Sequence, residues 1–352
     1  MHIEVSNSVA VPETATELNT SQEVMSAGGR IRGVLLRHRL VRLLARRIAL
    51  GVVLVFVVSA LTFVLVSLTP GNAADDILGF TATRAQYASL THQLGLNLPL
   101  YEQYAHWAGH ALTGNLGTSV FTGQSVTQAL DQRLPVTLSL MLGSLLVSVV
   151  VGVAVGVVSA VRGGIVGRGA DALSLVGFSL PNFWVGAIFI SLFAVRYRWF
   201  PAIGYVSFGQ SPFEWLRSIV LPVAALSLGG IAAIAKQTRE AMLEALGSEY
   251  VRGARANGIR RRSIVFRHAL KNAAGRVVTV VGVQAVGLLG GTVLIENVFS
   301  IPGLGSLVVT GTVQHDLPVV EGTVVYFTII VIVVNLMVDV VYSWLNPRVQ
   351  VR

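Results

Sequence analysis

The stretch SEYVRGARANGIRRRSIVFRHALKNA, residues 248–273, holds seven Arg or Lys and a single acid, Glu249. Guanidinium and ammonium groups at that density hold anionic partners, or they keep a loop from crossing a membrane. Other chemistry is narrowed by residue type. There is no Cys, so disulfides, thiol catalysis and thiolate metal sites are excluded. Lys occurs only at 236 and 271 and neither follows a Gly, so the chain has no phosphate-binding P-loop. The acids within apolar runs, Glu296 and Asp339, stand towards the ends of those runs, whereas a proton-coupled carrier wants ionisable groups at mid-bilayer. His106 and His110 in HWAGH stand at i, i+4, the spacing of a metal pair, with His92 as the nearest third ligand. Such a pair is expected on an external amphipathic helix rather than around a metal. No Ser/His/Asp or metal-ligand set shares one depth, which argues against a membrane enzyme.

The elements that must position these residues are membrane spans. Of the 352 residues, 53% are hydrophobic and 12% are charged, about half the charge of a soluble domain. The net charge of +9 falls between apolar runs and not on a basic solvated domain, which excludes a nucleic-acid binder. A spanning helix needs about 20 apolar residues. Windows free of charge run over 48–74, 134–161, 172–195, 218–235 and 277–295, and a sixth runs over 322–345 with Asp339 as its one interruption. Residues 297–315 are equally free of Asp, Glu, Arg and Lys, but FSIPGLGSL breaks a helix there, and a loop or re-entrant cap is expected. The fold class is therefore all-α: a polytopic membrane protein with six transmembrane helices.

Orientation follows from the cations. One side of the six-span scheme carries 21 Arg and Lys and the other carries five, Arg84, Arg133, Arg196, Arg198 and Arg217. The richer side includes both termini and the 237–276 loop, and is expected to be cytoplasmic. Residues 1–29, with four Glu and no Arg or Lys, are expected to form a disordered cytoplasmic tail. The remaining division is a basic segment with span one over 30–69, an external segment over 70–133, a core of five spans over 134–345 that includes the 237–276 loop, and a short cytoplasmic tail over 346–352.

The basic loop has local order. Gly247 ends the extension of span four, Ser248 is placed to cap a short helix, and Glu249 suits its dipole. That helix is expected to run to Asn257 and stop at Gly258. It is expected to expose Tyr250, Val251 and Ala254 beside Arg252 and Arg255, an aromatic among arginines of the kind favoured at interface hot spots. Ser263 is placed to cap a second short helix, on which Phe266, Ala269, Leu270 and Ala273 recur at i, i+3, i+4 and i+7. In the spans, Pro181 is expected to kink span three. Asn182, Gln284 and Asn335 either line a pathway or bond between helices, and Gly152 and Gly156 are expected to serve close helix packing.

EYVRGARANGIRRRSIVFRHALKNA resembles the cytoplasmic-loop motif of ABC-importer permeases, in the form carried by the dipeptide, oligopeptide and nickel permease family. The general motif is Glu-Ala-Ala, three residues, Gly, nine residues, then Ile-x-Leu-Pro. Aligned on Gly258, this chain has Arg252, Gly253 and Ala254, then His268, Leu270 and Lys271, so the Glu and the Pro are missing. The peptide subgroup is similar in carrying Tyr-x-Arg-x-Ala-Arg-Ala-x-Gly. ALTFVLVSLTPGNAAD, RLPVTLSLML, SLPNFWVGAIFISLFAVRYRWFPAIGY, ENVFSIPGLGSLV and VVNLMVDVVYSWLNPR are similar to further family stretches, so the resemblance covers about residues 40–350. The long external segment after span one fits the first, B-type, of the two permeases in such systems.

The resemblance implies a type-1 ABC importer permease fold and a coupling helix in the 4–5 loop, at Glu249, Tyr250, Val251, Arg252, Ala254, Arg255 and Gly258, docking on a cytoplasmic ATPase. It implies no catalytic residue and no cofactor on this chain, with ATP and Mg on partner subunits. The implied partners are a second related permease, two ATP-binding cassette subunits or domains and an extracytoplasmic solute-binding protein, all at the cell membrane. The external segment, with Tyr101, Tyr104 and Trp107, is the expected docking surface for that binding protein. Short peptides are the expected substrate. Nickel or glutathione through the same architecture is the nearer alternative, and a stand-alone secondary carrier is the alternative of a different class.

Overall fold

The computed structural model describes residues 45–71, 73–79 and 82–345; the two tails fall outside that range. Among the described residues there is no β-strand, only an isolated bridge between Thr118 and Ser125. The helices are α1 (Ala45–Ser67), α2 (Ala73–Leu78), α3 (Arg84–Gln93), α4 (Leu100–Ala111), α5 (Val126–Arg162), α6 (Gly164–Ser179), α7 (Asn182–Arg196), α8 (Pro212–Gly247), α9 (Glu249–Ala256), α10 (Arg261–Val298), α11 (Leu304–Val313) and α12 (Leu317–Leu345). Five of them, α1, α5, α8, α10 and α12, are long and apolar enough to cross a membrane.

The third expected span is a pair of helices, not one. Pro181 does more than kink it: α6 stops at Ser179 and α7 starts at Asn182, with Pro181 extended between them at φ −64° and ψ 131°. A proline ring has no N–H for the ladder and clashes with the preceding turn, so the helix restarts after it. The Pro181 carbonyl then accepts from the Trp184 and Val185 amides.

Three helices outrun the bilayer. α5, α8 and α10 have 37, 36 and 38 residues, about 55 Å each at 1.5 Å per residue, against roughly 30 Å of hydrocarbon. Spans two and four lie along each other because Gly152 and Gly156 leave room: a Cβ on Gly152 would sit 3.1 Å from the Ile231 carbonyl, and one on Gly156 2.6 Å from that of Ala235. These glycines serve close packing, as expected. The main core gathers Leu140, Met141, Leu226, Ala285, Leu288, Ile295 and Phe299. A second cluster, with Val157, Ala160, Met242, Val265, Ala269 and Ala273, joins the ends of α5, α8 and α10 next to α9.

Residues 297–315 are a short helix, α11, behind a tight turn. The turn closes with the Ile301 amide donating to the Glu296 carbonyl at 2.8 Å and the Gly303 amide donating to that of Ile301 at 2.9 Å.

Candidate functional site

The basic loop is compact. α8 ends at Gly247, and Ser248, extended at φ −67° and ψ 152°, is the single joint before α9. Its hydroxyl turns back to the Ala245 carbonyl at 2.7 Å, so the expected side-chain cap on α9 does not form. α9 ends where expected, with Asn257 as the capping residue and Gly258 at φ +72°, the left-handed conformation that glycine adopts without strain. The Ile259 amide returns to the Ala254 carbonyl at 3.1 Å and closes the turn.

Two expectations are corrected here. Val251 and Ala254 are not exposed: they are buried with Ile264, and Leu246 packs beside them. An eight-residue helix is too short to persist alone, so its apolar stripe must be covered by its own chain. The outward face is Glu249, Tyr250, Arg252 and Arg255. Ser263 caps nothing, and the second short helix is the leading end of α10. Residues Ile264–Ala269 there are π-helical. That wider turn shifts the phase of the side chains, so Phe266 is exposed while Ala269 and Ala273 are buried. Tyr250 and His268 share a hydrogen bond across this fold, with ring centroids 5.5 Å apart and planes at 66°.

Midway along α8, Asn182 and Gln284 converge on one point of span four. The Gln284 amide donates to the Gly229 carbonyl at 3.4 Å. A Cβ on Gly229 would stand 3.9 Å from the Asn182 Oδ1, and one on Gly291 3.5 Å from its Nδ2. The break at Pro181 makes this possible by putting Asn182 at the first turn of α7. Asn335 does not join them; it is exposed on α12 between exposed Val333 and Met337.

In the 70–133 segment, Tyr104 bonds Ser59 at 2.8 Å and donates to the Phe56 carbonyl at 3.3 Å, with its ring edge-on to Phe56 and Phe63. Trp107 is half-buried beside Leu116, Val126 and Leu130. Tyr104 and Trp107 therefore fasten α4 to the spans, and Tyr101, 71% exposed, is the aromatic left on the outer face. His315, just before α12, holds the start of the segment: its Nδ1 lies 2.6 Å from Asp76 and its Nε2 3.1 Å from the Pro70 carbonyl. The His110 ring bonds the His106 carbonyl at 2.8 Å, and among the described residues no three His, Cys, Asp or Glu are grouped to hold a metal.

Glu296 is the residue whose weight the sequence hides. It is wholly buried, accepts from the Thr137 hydroxyl at 2.7 Å and from the Ser306 amide at 2.9 Å, and faces Gly303 and Gly305, where a side chain would collide with it. The Thr137 oxygen also accepts from the Leu304 amide at 2.8 Å. Two otherwise orphan donors at the start of α11 are met this way, by side chains of spans two and five. A lone acid shortly before Pro-Gly-x-Gly was the available signal.

Comparison with known proteins agrees with this architecture. Residues 152–351 match the model of the binding-protein-dependent transport system inner membrane component, and residues 40–141 match that of the N-terminal part of such membrane components. Among curated relatives, a probable peptide ABC transporter permease protein, y4tP of Sinorhizobium fredii, is 41% identical over 87% of this chain and 98% of its own length. The di/tripeptide transport system permease protein DppB of Pseudomonas aeruginosa is 37% identical, and the oligopeptide transport system permease protein AppB of Bacillus subtilis 32%, each over 87% of this chain and 98% of its own. Among solved structures, an inward-facing conformation of the MetNI methionine ABC transporter aligns with a TM-score of 0.51 at 21% identity, covering 62% of this chain and 96% of that one, which shows the permease fold. From the family models, the relatives and the fold together, this chain belongs to the binding-protein-dependent transport system inner membrane components.

Proposed function

We propose that this chain is a transmembrane permease subunit of an ATP-driven importer that takes short peptides from a solute-binding protein. The observation that carries the reading is α9, an eight-residue helix seated on the projecting ends of spans four and five with Tyr250, Arg252 and Arg255 facing outward. A helix held rigidly off the membrane with a basic, aromatic face suits docking on a cytoplasmic ATPase subunit that supplies ATP and Mg. Both termini and the 237–276 loop lie in the cytoplasm in this scheme, on the strength of the 21-to-5 division of cations.

A second, related permease pairs with this one, and Asn182, Gln284 and Gly229 line the passage at mid-depth. The external segment, with Tyr101 outermost, receives the binding protein. Peptide is favoured over nickel or glutathione by the names of the relatives, which transport peptides, di/tripeptides and oligopeptides.

The test is reconstitution of the permease pair with its ATPases and binding protein in liposomes. Stimulation of ATP hydrolysis by the binding protein loaded with di- or oligopeptides, and not with nickel or glutathione, is the expected outcome. Uptake by this chain alone, without ATP, would make it a secondary carrier instead.

A further inference from the structure

We propose that His268 is a positioning residue that fastens the coupling helix to span five. The inference rests on the reading of α9 as the ATPase contact and adds what makes that contact transmit force. The far end of α9 runs into α10 through the 257–260 turn, closed by the Ile259 amide on the Ala254 carbonyl, and the rest of the helix is held in three ways. Its covalent link to span four is one residue, Ser248, preceded by Gly247, which has no heavy atom within reach of a Cβ. Gly/Ser pairs are where helices bend, so this joint resists rotation weakly. Its underside is held by Val251 and Ala254 on Ile264, an apolar contact without directional preference. The third hold is directional: the Tyr250 hydroxyl and the His268 Nδ1 share a hydrogen bond 18 residues apart, reinforced by edge-to-face rings.

His268 belongs to the π-helical start of α10, a 38-residue helix that continues without interruption through span five. A side chain anchored there ties the first turn of α9 to a rod crossing the membrane. Without it, the first turn of α9 pivots at Ser248 on the apolar underside, and only the far end stays tied to α10 through the 257–260 turn. With it, a displacement of the first turn passes to α10. His268 is half-buried behind α9, whereas the outward docking face is formed by other residues, so its loss separates transmission from docking.

The absence of Cys lets paired spin labels report the geometry directly. Labels at Ala256→Cys and Asn272→Cys, both exposed positions, give the distance between α9 and α10 in the full-length permease in nanodiscs without ATPase. The expected result is a narrow distribution in the parent, a broadened one in His268→Leu, and a narrow one restored by His268→Asn, whose amide presents a polar atom where Nδ1 stood. The ratio of fastened to loose populations should fall by up to about tenfold in His268→Leu. In the assembled transporter, His268→Leu should keep its ATPases and hydrolyse ATP while moving fewer peptides per ATP, and His268→Asn should recover the ratio. Equal distributions in the parent and His268→Leu overturn the proposal, as does His268→Asn behaving like His268→Leu. Loss of the ATPases from His268→Leu would also overturn it, by making His268 part of docking, and would leave the docking role of α9 standing. Because the distances are read without ATPase, a failure of the docking reading shows separately, in co-purification.

Discussion

The Thr137 hydroxyl donates to Glu296 at 2.7 Å while its oxygen accepts from the Leu304 amide at 2.8 Å, so one side chain of span two joins span five to the start of α11. Removing either partner strands buried groups. Thr137→Val, close in shape, leaves the Leu304 amide unpaired and should cost about 1–3 kcal/mol. Glu296→Ala should cost at least as much, because it opens a cavity and orphans the Ser306 amide. Thermal unfolding of the purified permease measures both, and Gly303→Ala, which pushes a methyl group into the same carboxylate, should fall in the same class.

Ala254→Glu tests the seat of α9. Ala254 is 7% exposed against Ile264, so a glutamate must either be desolvated or lever the helix away. Burying that charge costs several kcal/mol, so the helix should lift and ATPase docking should weaken at least tenfold. Co-purification of the ATPases with the permease reads this out. Retention at the parent level, with normal uptake, would remove α9 from the coupling role.

Gly258→Val addresses the turn after α9. A β-branched residue at φ +72° carries a penalty of about 1–2 kcal/mol. Peptide uptake should fall while Gly169→Ala on α6, at a position with open space around it and ordinary φ, should leave uptake near the parent level. Comparable losses from both would mean that the backbone angle at Gly258 is not what matters.

Arg255→Cys in this Cys-free chain tests the topology. Position 255 is exposed, so a cytoplasmic location predicts shielding from impermeant thiol reagents in intact cells and labelling after permeabilisation. Thr113→Cys, exposed in the external segment, should label in both conditions. Ready labelling of position 255 from outside would invert the scheme.

Tyr101→Ala tests the outer face. Tyr101 is 71% exposed, so truncation should leave the fold and the unstimulated ATP hydrolysis of the complex unchanged. Stimulation by the binding protein should need roughly tenfold more of it, the size of a hot-spot loss. Tyr104→Phe should instead lower thermal stability, because it removes the bonds to Ser59 and Phe56. An unchanged requirement for binding protein in Tyr101→Ala would move the docking surface elsewhere.

What the sequence disclosed follows a physical division. Spans, loop and the Gly258 stop are legible because apolar length and charge are local properties. The exposure of Val251 and Ala254 was misjudged because eight residues containing Arg on one face and small apolar groups on the other look alike whether the apolar side meets a partner or its own chain. Only the return of Ile264 beneath α9 decides it. The recurrence of Phe266 with Ala269, Leu270 and Ala273 assumes α-helical phase, and a π turn advances each residue by a smaller angle, which turns Phe266 outward. The bonds from Tyr104 to span one and from Glu296 to Thr137 join residues 45 and 159 positions apart, where no periodicity reaches. Asn335 and Gln284 were equal candidates by type and depth; which of them faces span four depends on helix rotation, a property of the packed bundle.

Gly229 and Gly230 stand at the middle of α8, which runs from Pro212 to Gly247. Span two presses on α8 there, with Ser148 Oγ 2.5 Å from the position a Cβ on Gly230 would take, as it does at Gly156. A rod that tilts about its midpoint is a balanced lever. With arms of about 27 Å, a tilt of about 10° about that fulcrum carries the cytoplasmic end some 5 Å one way and the external end as far the other, while the centre hardly moves. Asn182 and Gln284 therefore sit at the still point. Their contacts with α8 keep their geometry through such a tilt, while the separations towards the two ends of α8 change in opposite senses.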